Sequence, residues 1–332
     1  MALERYLARA KRATRAYRLH YVVPRMTAPL RRGRAAVDSV FILDPAWRGW
    51  ILDAICREIA ARLPGRHAFH YSTRDVPEAG RYFISHQSLV APVLSNNPSV
   101  WRARRVGFYT HPSEILTSHG QFIYALNQLH GLLFMCSEFR DRLVGEGVTR
   151  DKTAVVYGGA DASRFLPHTR GNGVVGLSTA YYPRKNPERL IEVVTLLAPR
   201  PVLLIGRHWR DYPNFDRLLN QRHFQYVEAP YEDYPRYYAN MDVFVSLAQL
   251  EGGPIPLIET MMCNAVPVAS RTGFAPELIR HGDNGFLFDV DAPATTIAEL
   301  VRRAFDTRSD VRSSVAHLTW DRFAGQVQGW LQ

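Results

Sequence analysis

The chain's most informative segment is Ser246-Leu-Ala-Gln-Leu-Glu251-Gly-Gly-Pro-Ile-Pro-Leu-Ile-Glu259. An apolar strand leads into a Gly-Gly loop that carries Glu251, and a helix follows with Glu259 about one turn inside it. Backbone N–H groups at the start of such a helix favour an anion, so a phosphate is expected there. The two carboxylates can accept hydrogen bonds from sugar hydroxyls. The local sequence alone supports a second interpretation equally well, in which Glu251 is a solvated loop residue and Glu259 is a charge near a helix N-terminus.

A second charged cluster precedes another predicted helix. Arg184 and Lys185 lie immediately before the Asn186-Pro187 helix start, where Asn186 is predicted to cap and Pro187 to occupy the first helical position. Two cations beside a helix N-terminus would neutralise a diphosphate. The local alternative is a pair of ordinary surface cations.

Short apolar runs alternate with amphipathic helical stretches from residue 38 onward, the pattern of a parallel sheet covered by helices. Two such cycles, divided near residues 160–173, predict two Rossmann-like α/β domains with a cleft between them and ligands at the carboxyl ends of the strands. Predicted strands are 40–43, 81–85, 106–110, 132–136, 174–176, 202–205, 242–247, 266–270 and 286–288, and predicted helix faces are Ile51, Ile55, Ile59 and Leu63, then Leu190, Ile191, Val194 and Leu197.

Composition excludes several classes of protein. The chain has 332 residues, of which 46% are hydrophobic and 22% charged, which is typical of a globular protein large enough for two domains. No apolar run approaches the roughly 20 residues that cross a bilayer. Three widely spaced cysteines fit neither a disulfide framework nor a zinc cluster, so we expect a cytoplasmic protein.

The net charge of +10 is concentrated in an N-terminal arm, residues 1–36, which holds ten Lys or Arg against one acid. Apolar and aromatic residues recur there at helical spacing, which predicts a basic amphipathic helix on an anionic membrane surface. The alternatives are a helix that packs on its own globule and, with less support, a nucleic-acid contact. Because the body carries no basic stripe, we expect no nucleic-acid partner.

Two histidines and two tryptophans are candidates in the first half of the chain. His111 and His86 follow predicted strands, where an imidazole can hydrogen-bond a sugar hydroxyl or stabilise charge. Trp47 and Trp50, in the first loop, are candidates for an acceptor site, as His86 is. The alternative for each histidine is an ordinary hydrogen-bonded residue, and for each tryptophan a place in the core.

Over residues 137–320 the sequence resembles the GT-B fold, family-4 (group 1) retaining glycosyltransferases. The motifs occur in the family's order: 137–143, 158–165, 184–187, the Glu251 and Glu259 pair, 267–269, 273–277 and 283–287. The resemblance implies a donor-binding domain at 163–315, an acceptor domain at 37–162 and a C-terminal helix at 316–332 that crosses back. Phe323, Val327 and Trp330 would then pack on the acceptor domain.

The same resemblance implies roles for the candidate residues. Glu259 would bind the ribose of a nucleotide sugar and Glu251 the transferred sugar, with Lys185 stabilising the leaving diphosphate. His111 would face the transferred sugar. No metal or other cofactor is implied. The remaining donor contacts would come from Arg184, Gly252, Gly253 and Ile255, and from Arg207 near the base.

Three features differ from the family pattern: Pro254 and Asn264 stand where Gly is usual, and the loop after the first strand of the donor domain lacks the usual Arg. The leading interpretation is transfer of a sugar, with retention, from a nucleoside diphosphate to a saccharide or lipid-linked acceptor in cell-envelope or polysaccharide synthesis, at the inner face of the membrane. The alternatives are a GT-B nucleotide-sugar epimerase and a non-catalytic polyanion-binding protein.

Overall fold

The computed structural model describes residues 37–112 and 118–332, so the predicted basic helix of residues 1–36 lies outside the described residues. The described chain divides into two compact units. One comprises residues 37–156 with 324–332, and the other residues 157–323. The sequence predicts these divisions after residues 162 and 315.

The first unit is built on a parallel sheet. Its strands are β1 (Val37–Ile42), β2 (His67–His70), β3 (Ala79–Ile84), β4 (Arg104–Tyr109), β5 (Gly131–Phe134) and β6 (Thr153–Val155). They lie in the order β2-β1-β3-β4-β5-β6, with every neighbouring pair parallel. The described helices of this unit are α1 (Ile51–Arg62), α2 (Val90–Asn96), α3 (His119–Asn127) and α4 (Ser137–Gly145).

The second unit repeats this architecture. Its strands are β7 (Val175–Ser178), β8 (Val202–Ile205), β9 (Phe224–Val227), β10 (Val243–Ser246), β11 (Val266–Ser270) and β12 (Phe286–Phe288). They lie in the parallel order β12-β11-β10-β7-β8-β9. Its helices are α5 (Pro187–Leu197), α6 (Asp216–Leu219), α7 (Tyr234–Tyr238), α8 (Ile255–Met262), α9 (Ala275–Leu278) and α10 (Ala294–Ala304).

The two strand orders place a switch point in each sheet. In the first sheet the chain changes direction between β1 and β3, and in the second between β7 and β10. Helical connections on either side of such a point diverge and leave a crevice outside the carboxyl ends of the two strands, where ligands of open α/β sheets bind. The prediction of two Rossmann-like α/β domains is confirmed.

Central strands supply the core because helices cover both faces of a parallel sheet. Val40, Phe41 and Ile42 are fully buried, as are Leu204 and Ile205 in the second unit. The predicted face of α5 is buried along its length. On α1 the prediction is wrong at its first position: Ile51 is 52% exposed, because it begins the helix before the helix reaches the core.

The C-terminal helix α11 (Trp320–Leu331) contributes its residues from Ala324 onward to the first unit. There the ring of Trp330 lies over Gly131 of β5, and Arg104 Nε donates to the carbonyl of Trp330 at 2.7 Å. The predicted packing of Trp330 on the N-terminal domain is therefore confirmed. Val327 and Phe323 are both buried, and Phe323 is the last residue of the second unit, so its packing on the acceptor domain stays a prediction.

Candidate donor site at a sheet switch point

The charged residues of the predicted donor site follow the two strands at the switch point of the second sheet. Ser178 ends β7, and the one-turn helix Pro183–Lys185 follows it. Ser246 ends the neighbouring β10, and Glu251 comes five residues later, before α8. Parallel strands bring these two loops to the same edge of the sheet.

Arg184, Lys185 and Glu251 meet there. Lys185 Nζ donates to Glu251 Oε1, and Arg184 Nη1 lies 3.3 Å from Glu251 Oε2. Arg184 also donates to the carbonyl of Leu250 at 2.8 Å and accepts at its own carbonyl from the backbone N–H of Gln249, again at 2.8 Å. Two cations share one carboxylate that is only 9% exposed, so the cluster keeps an excess positive charge for an anionic ligand.

The Gly-Gly loop is held in place by a glycine from the next connection. Gly273 has φ +56°, and a Cβ at this position would lie 2.5 Å from the carbonyl oxygen of Gly252. That oxygen accepts from the backbone N–H of Phe274 at 3.1 Å. Gly252 is buried and Gly253 half-buried, which leaves the backbone of Gly253 accessible to a ligand.

Asn186 precedes α5 as predicted, but the predicted side-chain cap is wrong. Asn186 is left-handed, with φ +59°, and its side chain makes no capping hydrogen bond. Asn tolerates this conformation better than most residues, so its role is to turn the backbone from the Pro183–Lys185 helix into α5. Pro187 is the first residue of α5, as predicted.

Glu259, the fifth residue of α8, is buried to 1% exposure in a separate polar cluster. Tyr231 Oη donates to its Oε1. Burial raises the pKa of Glu259 to about 7, although hydrogen bonds from Tyr231 and Tyr238 and the positive charge of Arg164 act in the opposite direction. The carboxyl is therefore poised between its neutral and ionised forms near neutral pH.

The tyrosines around Glu259 were not predicted from the sequence. Tyr231, Tyr234 and Tyr238 have successive ring centroids 5.5 and 5.6 Å apart. Tyr238 is fully buried, and its hydroxyl lies 2.6 Å from Ser178 Oγ at the end of β7. Their spacing of three and four residues, typical of one helix face, is the signal that could have located them.

Two further predicted donor contacts, Arg207 and Ile255, lie outside the two clusters described above. Arg207 is exposed just beyond β8, where its carbonyl accepts from the N–H of Tyr181 at 2.9 Å. Its charge opposes the effect of burial, which raises the pKa of Tyr234. Ile255 begins α8 with its side chain buried, so only its backbone is placed to meet a ligand.

The acceptor-side candidates lie in the first unit, two of them at its switch point. Trp47 follows β1 and His86 follows β3, and their ring centroids are 5.0 Å apart in an edge-on contact. His86 Nδ1 accepts from the N–H of Ser88 at 3.2 Å, so the neutral ring carries its proton on Nε2. Burial, helped by the charge of His111, lowers the pKa of His86 to about 4.

His111 is the neighbour of His86, with ring centroids 6.2 Å apart. His111 Nδ1 donates to the carbonyl of Pro112 at 3.0 Å, which leaves Nε2 as the acceptor in the neutral ring. Gln87 fixes this loop, because its amide donates to the carbonyl of His111 at 2.7 Å and accepts from the N–H of Thr110 at 3.3 Å. The two imidazoles thus present opposite tautomers.

Trp50 is placed differently from Trp47. It precedes α1, donates its backbone N–H to the carbonyl of Trp47 at 3.0 Å and accepts from the N–H of Ala54 at 2.9 Å. Its acceptor role stays a prediction. Within residues 37–112 and 118–332, no three His, Cys, Asp or Glu side chains are grouped closely enough to hold a metal ion. In the same ranges, every helix is too short or too polar to span a bilayer.

Comparisons with known proteins agree with this architecture. Residues 163–315 match the family model of glycosyl transferases group 1. Among curated proteins, a 130-residue segment is 32% identical to O-antigen chain mannosyltransferase B of Escherichia coli, covering 35% of this chain and 34% of that protein. The chain thus spans about a third of the length of this relative.

Two solved structures show the fold over most of the chain. Anabaena Alr3699/HepE in complex with UDP-glucose is 16% identical with a TM-score of 0.69, covering 89% of this chain and 99% of that one. The apo form of the lipopolysaccharide outer core galactosyltransferase WaaB is 12% identical with a TM-score of 0.65 and the same coverages. The fold is therefore GT-B, and residues 163–315 resemble the glycosyl transferases group 1 family.

Proposed function

We propose that this protein is a retaining glycosyltransferase that moves a sugar from a nucleoside-diphosphate donor to a saccharide or lipid-linked acceptor, without a metal ion. The observation that carries the proposal is the cluster of Arg184, Lys185 and Glu251 at the switch point of the second sheet. Two cations and one carboxylate at a strand-end crevice suit a diphosphate joined to a hydroxyl-rich sugar.

In this proposal the diphosphate replaces Glu251 as the partner of Lys185. Arg184 and Lys185 then stabilise the charge that develops on the leaving nucleoside diphosphate, which is where fixed electrostatics contributes most to catalysis. Glu251, released from Lys185, accepts hydrogen bonds from the transferred sugar, and the backbone of Gly253 approaches the same sugar. Glu259 binds the ribose.

The first unit carries candidate groups of its own. His111 Nε2 is an acceptor in the neutral ring and suits a sugar hydroxyl, and a protonated His111 would stabilise negative charge. The edge-on pair of Trp47 and His86 offers an apolar wall beside an N–H donor, a combination that suits an acceptor saccharide. Trp50, in the same loop, is proposed as a further acceptor contact.

The names of similar proteins support the substrate class. The Escherichia coli relative is an O-antigen chain mannosyltransferase, and the Anabaena protein was solved with UDP-glucose. Both names are consistent with nucleotide-sugar chemistry. We propose a cell-envelope or polysaccharide acceptor for this chain, reached at the cytoplasmic membrane surface through the basic segment 1–36.

Calorimetric titration tests the donor site. The purified full chain is titrated with UDP, GDP, ADP, CMP and dTDP in a chelating buffer, then again as Lys185→Ala and Glu259→Ala. Arg280→Ala is the matched control, because Arg280 is an exposed cation of the same unit whose partner is Asp283. One nucleotide should bind selectively, and binding should weaken at least tenfold in both site variants but not in the control. Failure of the folded wild type to bind any nucleotide would contradict the proposal.

Transfer itself needs a second assay. The selected nucleotide sugar is incubated with the protein and a membrane lipid extract, and the product is analysed by NMR for the anomeric configuration of the new bond. We expect retention, with undiminished turnover in the chelating buffer. Release of an epimerised free sugar without any acceptor would instead indicate an epimerase.

The membrane contact is tested by sedimentation with lipid vesicles. The full chain should sediment with vesicles containing phosphatidylglycerol and should stay in the supernatant with phosphatidylcholine alone, because the ten basic residues of the N-terminal arm favour an anionic surface. Equal sedimentation with both vesicle types would contradict an electrostatic contact.

A further inference from the structure

Glu259 is buried without a charged hydrogen-bond donor on its carboxyl group among the residues that the structure describes. The groups that face it come from several elements: Tyr231 from the Tyr231–Asp233 turn, Tyr234 and Tyr238 from α7, Arg164 from the segment before β7, and Cys263 after α8. Arg164 acts through space, and its guanidinium lies 5.2 Å from the centre of the Tyr231 ring. The direct donor to Glu259 Oε1 is the hydroxyl of Tyr231.

The Tyr231 ring is held independently of this hydroxyl. It contacts Tyr234 at 5.5 Å and Phe165 at 6.3 Å between ring centroids, and Arg164 covers one side. Tyr231→Phe would keep these ring contacts and remove the hydrogen bond to Glu259. The hydroxyl of Tyr238 also stabilises the Glu259 carboxylate, and it lies 2.6 Å from Ser178 Oγ.

The ionisation of Glu259 matters for a ribose. An ionised carboxylate accepts hydrogen bonds at both oxygens, whereas a protonated one uses one oxygen as a donor. Vicinal ribose hydroxyls that donate to Glu259 therefore need the ionised form, and their hydrogen bonds to a charge are stronger than those to a neutral acid. A neutral hydroxyl that donates to a buried carboxylate stabilises that form without adding a charge.

We propose that Tyr231 is a positioning residue that holds Glu259 ionised and correctly oriented to accept hydrogen bonds from the donor's ribose. This inference rests on the proposed donor site and adds to it the residue that controls how the site recognises its nucleotide. Tyr231 acts through Glu259, and loss of its hydroxyl raises the pH at which Glu259 becomes an acceptor.

The experiment measures donor affinity against pH for the wild type and for Tyr231→Phe. UDP-glucose and GDP-mannose are both titrated calorimetrically in the full chain from about pH 6 to about pH 8.5, because their diphosphates carry no secondary ionisation in this range, unlike a terminal phosphate. Tyr237→Phe is the matched control: Tyr237 is on α7, directly after the Tyr231–Asp233 turn, and its hydroxyl accepts from Arg236 at 3.1 Å.

The wild-type affinity should rise several-fold with pH as Glu259 ionises. Tyr231→Phe should bind about tenfold more weakly near pH 7, which is the lower end of the factor expected for one hydrogen bond to a charged group. The deficit should shrink towards the alkaline end, because Glu259 ionises there in both proteins. Tyr237→Phe should follow the wild type, and Glu259→Gln should lose the pH dependence.

The outcomes distinguish a failure of the proposed donor site from a failure of the role proposed for Tyr231. If the wild type binds neither donor, and no nucleotide of the earlier panel, the donor site itself is wrong and the role of Tyr231 fails with it. If the wild type binds but Tyr231→Phe weakens binding by one constant factor at every pH, Tyr231 is a packing residue and the inference alone is overturned. An unchanged affinity in Tyr231→Phe would overturn it as well.

Discussion

Replacing Gly273 with Ala should disturb the donor site from outside it. The residue has φ +56°, which costs an L side chain roughly 1–2 kcal/mol. Its new Cβ would also lie 2.5 Å from the carbonyl oxygen of Gly252 and 2.7 Å from that of Glu251. Backbone atoms must move to relieve contacts this short, so we expect a total destabilisation of about 3 kcal/mol. If the second unit unfolds cooperatively, its midpoint falls by roughly 6–12 °C.

Gly282 provides the matched control. Its φ is +85°, but a Cβ there would meet no atom within 4 Å, so Gly282→Ala carries only the conformational strain. We expect about 1 kcal/mol for this variant and an unchanged donor affinity. Gly273→Ala, in contrast, should weaken nucleotide-sugar binding at least tenfold, because its new Cβ would clash with two carbonyl oxygens in the loop of Glu251. Thermal unfolding and calorimetry measure both effects, and equal behaviour of the two variants would refute the reasoning.

Three further predictions concern ionisation and packing. The pKa of His86 is lowered from 6.5 to about 4, so the folded state resists protonation of this side chain. The free energy of unfolding should therefore fall by about 3 kcal/mol as pH drops from 6.5 to 4, and urea unfolding should show a smaller fall in His86→Gln. The shift in the pKa of Glu259, raised from 4.5 to about 7, has the opposite effect on stability. Its contribution to the free energy of unfolding is fully present below pH 4.5 and is lost as pH rises through 7. Relative to wild type, the free energy of unfolding of Glu259→Gln should therefore increase by up to about 3 kcal/mol from acid to alkaline pH. Gly131→Ala should cost about 1–3 kcal/mol, because its Cβ would lie 2.6 Å from the Trp330 ring, and a double-mutant cycle with Trp330→Ala should recover most of that loss.

The sequence predicted the central strands of both sheets and missed strands at their edges. Three of the four edge strands, β2, β6 and β9, are not predicted, whereas the fourth, β12, is predicted and is buried throughout. β2 reads His-Ala-Phe-His and is half-buried throughout. An edge strand has a neighbour on one side only and fewer helices over it, so its residues need not be apolar and the hydrophobic signal weakens. A central strand is covered on both faces, so its residues are apolar and mark it in the sequence.

The sequence predicts those charged residues of the candidate site that belong to a single strand–loop–helix motif. Lys185 and Glu251 follow from strand–loop–helix patterns, and the structure joins them across two loops 66 positions apart. Tyr231 could not be predicted in the same way, because its importance lies in one hydrogen bond to Glu259 across 28 positions. Nor does the sequence show that Gly273 supports the Gly-Gly loop, because a glycine in a sequence reveals neither its backbone conformation nor which atoms lie close to it.

The two carboxylates of the donor site are compensated in different ways, and this difference separates their roles. Glu251 is offset by the two neighbouring cations, Lys185 and Arg184, so a diphosphate that takes these cations also frees Glu251 for a sugar. Glu259 is held by the neutral Tyr231 hydroxyl, so its charge stays available to ribose but carries a desolvation cost in the empty protein. Phosphate binding should therefore depend mainly on salt, and ribose binding mainly on pH. A donor that engages both carboxylates relieves the cost at Glu259 and replaces the ion pair at Glu251, which makes recognition of the whole nucleotide sugar more favourable than recognition of its separate parts.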